Sequence, residues 1–369
     1  MVTRVAHLTS VHPRFDLRIY HMMCKSLRKL GDVNIICADG LGEQNIDGIN
    51  IIDVGKSENR FSRMWFSVNK IYQKAKLIDA DIYHIHDPEL IRVGYKLIKK
   101  GKKVIFDSHE DVGATILDKP YLNSTLRKLI YIIYNAYEKY MLKKFSALIA
   151  PTPFIKKKLN QINPCTEKIC NYPIIEELKT EYRKKEFEKF EVCFVGGISY
   201  QRGVKELIKA LELTKNKVYL NLVGDFISEE YEKDLRAEKG WRYVNYFGYI
   251  DDRIKLKEIY QKSIIGIVTP LPNLNDINSL PIKMFEYMES KLPVIASDFD
   301  YFKEIFSEIK CGVNVNPNSP KDIAKAIDEL IENPLKRKTM ADNGYRAIFN
   351  KYNWSIEEKK LLKFYKDLI

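Results

Sequence analysis

The stretch IIGIVTPLPNLNDINSLPIKMFEYMESKLPVIASD, residues 264–298, decides the fold. Two short apolar runs, IIGIVTP and PVIASD, are rich in β-branched residues and read as buried strands. Between them Ile282, Phe285 and Met288 recur at three-residue steps behind Pro281, the signature of a helix that opens on a proline. Strand, helix and strand in this order make a parallel βαβ unit. Asn278 and Ser279 are placed to cap the helix, whose first amides would face outward beyond the strand IIGIVTP. Lys283 and Glu286 lie three apart on a second side. A surface ion pair worth a few tenths of a kcal/mol is one reading. The setting of Glu286, between two aromatics on a helix wedged between apolar strands, makes a purely solvent-facing role less natural.

The same rhythm runs outward in both directions. The first half carries strand patterns at RVAHLTS, DVNIICA, IYHIH, KVIFDS and ALIAPT, and the second at VCFVGGI, VYLNLVGDF, VNYFGYI and CGVNVNP besides the two above. The first helix, DLRIYHMMCKSLRKLG, has Asp16 as its cap, a stripe of Tyr20, Met23, Leu27 and Leu30, and Gly31 to end it. The pattern predicts two doubly wound α/β domains in tandem: residues 1–175, a charged linker at 176–191, a second domain at 192–355 and a C-terminal helix at 356–369. The 369-residue length agrees with two domains.

Composition narrows the class. With 45% apolar and 30% charged residues the chain reads as an ordinary globular protein. No apolar run approaches the roughly 20 residues that span a bilayer, and the N-terminus reads as a strand, not a signal peptide; a cytoplasmic setting is expected. The six scattered cysteines lack metal-ligand spacing and read as reduced thiols. Charge is uneven: residues 1–190 hold 33 Lys and Arg against 22 Asp and Glu, residues 191–369 hold 28 against 27. A basic half implies an anionic partner, whether nucleic acid, acidic substrate or membrane leaflet.

In doubly wound sheets ligands bind beyond the carboxyl ends of the strands. All six histidines fall within residues 1–109, and His12, His86 and His109 lie at or just past the ends of three strands. His109 sits in DSHED, beside Glu110 and Asp111. His84 and His86 share one face of a strand, but no third metal ligand has recognisable spacing. In VGGISYQRGVKEL an apolar strand runs into Gly196 and Gly197, and Arg202 and Gly203 open the next helix. Glycines allow close backbone approach, a helix start offers free amides and Arg202 a cationic fork, all suited to a diphosphate; a plain tight turn is the competing reading. The segment fits neither the dinucleotide fingerprint nor the Walker loop.

On these residues the chain resembles the retaining glycosyltransferases of family 4, with PIKMFEYMESKLPVIASD as the most specific segment. HPRFDLRIYHMMCKSL, HIHDPELI and FDSHEDV are similar to members that build bacterial surface polysaccharides. The resemblance implies the GT-B fold: two Rossmann-like doubly wound domains facing a central cleft, with the C-terminal helix packing back on the first. It implies a hexosyl- or N-acetylhexosaminyltransferase that moves a sugar, with retention of configuration, from a UDP-sugar to a hydroxyl of a glycan or lipid-linked acceptor. The later glutamate of the family's pair, the ribose ligand, falls on Glu286; the earlier one, at the donor sugar, falls on Asn278, which removes a charge there. The basic pair for the diphosphate falls on Gly197 and Arg202, so that Arg202 would act with Lys283 and the amides near Pro281. The histidine near the donor sugar falls on His109. Gly196 belongs to the same loop, Asp225 and Tyr249 would flank the nucleobase, and His12, Asp16, Arg18, His86, Glu110 and Asp111 would form the acceptor side.

No DxD metal motif is persuasive, since DAD at 79–81 reads as a turn, so no metal or other cofactor is expected. The segment STLRKLIYIIYNAYEKYMLKKF mixes apolar and cationic residues at helical spacing. Docking on the anionic inner face of the cell membrane and packing as a helix with solvated lysines both remain open for it. A UDP-GlcNAc 2-epimerase would share the architecture, but PIKMFEYM argues against it. A glycoside hydrolase lacks an assignable carboxylate pair, and a nucleic-acid-binding protein would explain the charge without any recognisable module, so no nucleic acid is expected.

Overall fold

The computed structural model describes residues 3–117, 123–180 and 189–369. The chain forms two compact units, Met1–Asn171 with Ser355–Ile369, and Tyr172–Trp354.

The first unit is built on an eight-stranded sheet. Its strands are β1 (Thr3–Leu8), β2 (Gly31–Cys37), β3 (Gln44–Ile46), β4 (Ile49–Asp53), β5 (Ile82–Ile85), β6 (Lys103–Asp107), β7 (Ala147–Ala150) and β8 (Thr166–Lys168), in the spatial order β3-β4-β2-β1-β5-β6-β7-β8. Every pairing is parallel except β3 with β4. Chain order reverses between β1 and β5, where His7 pairs with His84 in register, so this is the switch point at which such sheets place ligands. β5 and β7 are buried along their whole length, as strands covered on both faces must be. The C-terminal helix, Trp354–Leu368, belongs to this unit from Ser355 onward: the Tyr365 hydroxyl lies 2.6 Å from His84 Nδ1, and Glu357 accepts the Cys170 N–H at 2.9 Å.

The second unit has six parallel strands, β9 (Phe190–Val195), β10 (Val218–Val223), β11 (Val244–Tyr246), β12 (Ile265–Val268), β13 (Val294–Ser297) and β14 (Gly312–Val315), in the order β11-β10-β9-β12-β13-β14. Its switch point lies between β9 and β12. The helix Ile282–Glu289 is anchored there by Tyr287, whose ring occupies the space that a side chain at Gly266 would need, 2.3 Å from an added Cβ, and whose hydroxyl accepts the Val195 N–H at 2.9 Å.

The unit boundary falls at Asn171, ahead of the expected linker. Residues 176–180 pack onto the second unit: Leu178 is fully buried, its N–H donates to Glu289 Oε1 at 3.2 Å, and its carbonyl accepts the Ser290 hydroxyl at 3.0 Å. Residues 181–188 of that linker lie outside the described residues, and 190–191 already belong to β9. The expected turn at 79–81 is present, with Asp79 left-handed at the end of helix Val68–Ile78. All six cysteines are free thiols.

Candidate active site

In the first unit the switch point gathers a buried polar cluster. Arg18, on the first turn of helix 17–27, grips Asp107 at the end of β6 with two parallel hydrogen bonds, Nε to Oδ2 and Nη2 to Oδ1, each 2.8 Å. Both side chains are almost wholly buried. Burial by itself would raise the Asp107 carboxyl; the Arg18 charge and the hydrogen bonds from His86 and Arg18 together outweigh it and hold the group well below the usual carboxylate range. The remaining Arg18 donors reach the Ile169 carbonyl, at 3.0 Å, and the Asn171 side chain. Arg18 is therefore a buried framework residue. That corrects the expectation of Arg18 as an acceptor ligand: its donors are consumed inside the unit.

Three imidazoles form a chain: His7 Nδ1 is 2.9 Å from His86 Nε2, and His86 Nδ1 is 3.1 Å from His109 Nε2. Asp107 Oδ2 lies 3.6 Å from His86 Nδ1. The same oxygen lies 3.8 Å from His109 Nε2; assigning the shared proton to the nearer nitrogen, His86 Nδ1, makes His109 Nε2 the acceptor and puts the His109 proton on Nδ1. Burial pushes His109 down to about 4, against the opposing pull of Asp107, so the ring is a neutral donor at physiological pH. His86 itself is buried and held neutral, so it positions His109 and cannot meet an acceptor directly, a second correction to the acceptor set.

His12 is different. It stands 3.2 Å from Asp16 and 3.6 Å from Asp87. Burial disfavours its charge, but the Asp16 hydrogen bond and the two carboxylates raise it above its usual value. Asp16 caps its helix as expected, accepting from the Arg18 and Ile19 amides at 2.9 Å. The His21 amide reaches back five residues to the Asp16 carbonyl, which widens the first turn. The His12 and His109 rings are 4.4 Å apart, so an imidazole whose charge is favoured by carboxylates and one whose charge is disfavoured by burial sit side by side. Glu110 is exposed, and Asp111 is taken up by the Ala114 amide and Lys158.

In the second unit the strand ends form a glycine-lined ladder. Gly196 donates to the Val223 carbonyl and Gly224 to the Gly248 carbonyl. A Cβ on Gly224 would sit 1.9 Å from the Gly196 carbonyl oxygen, so this close approach requires glycine. Open space lies in front of both Gly196 and Gly197. Gly203 is left-handed and presses on the Thr269 carbonyl, and the Leu271 amide donates to the Gln201 carbonyl at 2.8 Å; together they join the loop after β9 to the loop after β12. Arg202 projects from that junction, about half exposed, with Asp276 at 3.2 Å as its one ion-pair partner among the described residues. Asp225 and Tyr249 are exposed at the ends of β10 and β11.

The helix Ile282–Glu289 starts at Pro281 as expected, but no side chain caps it. Asn278 donates instead to the Leu274 carbonyl and Ser279 to the Asp276 carbonyl, because residues 276–278 make their own short helical turn. The first amides of the helix are thus left for another acceptor. Glu286 has no exposed surface. Its oxygens accept from Arg253 at 3.0 Å, Tyr260 at 3.0 Å and Lys283 at 2.9 Å. Burial would raise this carboxyl; Lys283 and Arg253 together lower it. The pair with Lys283 is therefore no surface salt bridge, and Glu286 stands behind the two cations, directing Lys283. Arg253, Tyr260 and Asp276 have no signal in the sequence pattern, since they reach Glu286 and Arg202 from 26 to 74 residues away.

Among the described residues three groups of side chains come close enough to share an ion: His7, His84 and His86; His86, Asp107 and His109; and Cys37, Asp39 and Asp53. Their lone pairs are mostly committed: Asp107 to Arg18, Asp39 to Arg14, and Asp53 to the amides of Gly40, Gly42 and Gly55. In the first group the His84 and His86 rings stack at 18°, so their nitrogens do not converge on one point.

Two Rossmann-like units, one ending in phosphate-suited loops and the other in a histidine cluster, define a nucleotide-dependent α/β enzyme of two-domain type. Residues 18–170 match the family described as Glycosyltransferase Family 4, and residues 176–347 match Glycosyl transferases group 1. An uncharacterized glycosyltransferase of Methanocaldococcus jannaschii is 23% identical over 88% of this chain and 86% of its own. Phosphatidyl-myo-inositol mannosyltransferase of Mycobacterium leprae is 25% identical over 36% of this chain and 35% of its own. Among solved structures, sucrose-phosphate synthase from Thermosynechococcus elongatus superposes with a TM-score of 0.80 at 15% identity, over 99% of both chains. Anabaena HepE in complex with UDP and glucose gives 0.76 at 16% identity, over 99% of this chain and 100% of its own. The chain belongs to the family 4 glycosyltransferases of the GT-B fold, and it is an enzyme.

Proposed function

We propose that this enzyme transfers a sugar from a UDP-sugar, with retention of configuration, to a hydroxyl of a glycan or lipid-linked acceptor in cell-surface polysaccharide synthesis. The observation that carries the donor half is the junction at the second switch point: an exposed Arg202, open space before Gly196 and Gly197, and uncapped amides at the start of helix Ile282–Glu289. A diphosphate needs such a set of fixed donors. The relatives support a nucleotide-sugar, since Anabaena HepE of the same fold holds UDP and glucose.

The costly event is separation of the sugar from a diphosphate that gains negative charge. Arg202, the helix amides and Lys283 stabilise that charge, and Glu286 with Arg253 sets where the Lys283 ammonium stands. Preorganisation of this kind needs no movement at the moment of reaction. A diphosphate oxygen takes the acceptor proton as the new bond forms on the face the leaving group vacates. His109 donates a hydrogen bond from Nδ1 to a sugar hydroxyl without competing for that proton, because burial keeps it neutral. His12, Asp16 and Asp87 form the polar floor for the acceptor hydroxyl.

The test is a thermal-shift screen against UDP, GDP, ADP and their sugar conjugates, since ligands of the folded state raise its midpoint. UDP and one UDP-sugar should stabilise the protein, and Arg202→Ala should weaken UDP binding roughly 10- to 100-fold, the worth of a charge-assisted contact. A selective shift with GDP or ADP alone would reject the uridine donor, and no shift with any nucleotide would reject the site. Arg202, Lys283 and the amides supply the charge, so transfer should persist in EDTA; its loss, restored by a divalent cation, would show that a metal shares the work.

A further inference from the structure

We propose that the first unit docks on an anionic lipid bilayer through one continuous face, formed by residues 60–72, the helix Ile91–Ile98 and the helix Ser124–Leu142. The proposal deepens the lipid-linked acceptor of the proposed function and stands on observations separate from the donor site. Large apolar side chains cluster on this face in the open: Phe61, Trp65 and Phe66 are 70%, 56% and 64% exposed. On the longer helix Leu126, Leu129, Ile133, Tyr137 and Tyr140 recur at helical steps and are all exposed, with Ile132 beside them. The opposite side of that helix is the packed one, where Glu138, Met141 and Leu142 are buried. The exposed apolar side of the helix therefore has no packing partner among the described residues of the unit.

The pieces are contiguous. The Arg92 guanidinium covers the Trp65 ring at 4.9 Å, and a groove is lined by Phe61, Trp65, Phe66, Tyr72, Arg92 and Lys96. On the far side of the same short helix, Lys144 lies over both Tyr95, at 4.8 Å, and Tyr140, at 3.7 Å. Charge selects the occupant. Residues 60–72, 91–98 and 124–142 together carry eight Lys and Arg, of which Arg63 is paired with Glu89, and one acidic residue, the buried Glu138. An apolar surface threaded with aromatic rings and rimmed by cations matches the boundary between acyl chains and anionic headgroups, where each part has its own partner. A protein partner would need a compensating acidic face, and nothing in the pattern asks for base stacking in register. No helix among the described residues is long and apolar enough to cross a membrane, so the contact is with the surface.

The experiment uses the full chain with vesicles of phosphatidylcholine containing phosphatidylglycerol, against pure phosphatidylcholine. Co-sedimentation should favour the anionic vesicles and fall as salt rises. Tryptophan emission should shift to the blue on binding, and the shift should disappear in Trp65→Phe. Phe66→Ser and Ile133→Ser alter exposed positions, and each should weaken partition about tenfold, the worth of one large apolar side chain; Lys128→Glu with Lys139→Glu should remove the preference for anionic lipid. UDP stabilisation, measured on the same variants, should be unchanged, so failure of the docking face and failure of the donor site are read separately. Absence of partition, or partition unaltered by all these variants, overturns the proposal. Self-association of the wild-type chain that the serine variants abolish, without vesicle binding, overturns it in favour of a second copy on this face.

Discussion

Two glutamates on the helix Ile282–Glu289 are equally buried and have opposite electrostatics. Glu286 faces two cations and is held low; among the described residues Glu289 has no cation within its hydrogen-bonding reach, accepts the Leu178 amide at Oε1, and leaves Oε2 without a partner. Burial pushes Glu289 up to about 7. Its folded value therefore lies above the unfolded one, near 4.5, so the stability it contributes is fully present below 4.5 and is lost as pH rises through 7. The span of about 2.5 pKa units corresponds to about 3 kcal/mol. Glu289→Gln keeps the carbonyl that accepts from Leu178 and abolishes the titration. It also buries an amide N–H without an acceptor, at a cost of about 1 kcal/mol. The variant should then be about 2 kcal/mol more stable than wild type at pH 8 and slightly less stable at pH 5. For a unit of this size that is a midpoint gain of roughly 4–8 °C at the higher pH. Urea and thermal unfolding, followed through Trp241 and Trp354 of the second unit, measure it. Parallel stability curves for wild type and variant between pH 5 and 8 would refute the reasoning and mean that Glu289 is ionised at no cost.

The first unit should respond to pH in the opposite sense. His109 is depressed to about 4 from 6.5, so its contribution is present above 6.5 and lost as pH falls toward 4, about 3 kcal/mol in all; acid titration should unfold the Trp65-containing unit first. Over the same range the imidazole nitrogen shifts of His109 should stay those of a neutral ring protonated on Nδ1 down to about pH 5, and His86→Ala should mix its tautomers. Asp107→Asn strips the buried Arg18 of its only carboxylate and should cost about 3–5 kcal/mol, read as an early unfolding step of the first unit with UDP stabilisation of the second unit unchanged.

What was legible follows from the range over which each signal acts. A strand buried on both faces is an unbroken apolar run, so β1, β5, β7, β9, β12 and β13 could be read from composition alone. The edge strands β3 and β8 were missed because Gln44–Ile46 and Thr166–Lys168 have too few buried positions to leave a pattern, and β4, paired with β3, was missed with them. Local capping was read correctly at Asp16, where the partners are two and three residues away, and incorrectly at Asn278 and Ser279, which spend their side chains on a turn of their own. The site residues divide in the same way. Gly196, Gly197, Arg202 and Lys283 stand in contiguous segments whose glycines, cations and helix starts could be read locally as suited to a diphosphate. Asp107 and Arg253 act only through partners brought up by the fold, Arg18 from 89 residues away and Glu286 from 33. That difference changed the meaning of Glu286: pattern and resemblance made it a ligand for ribose, while its burial makes it the counter-charge that fixes Lys283. The two roles separate experimentally, because a ribose ligand discriminates UDP from 2′-deoxy-UDP and a counter-charge does not. Equal loss of affinity for both nucleotides in Glu286→Gln is the outcome that the observed geometry requires.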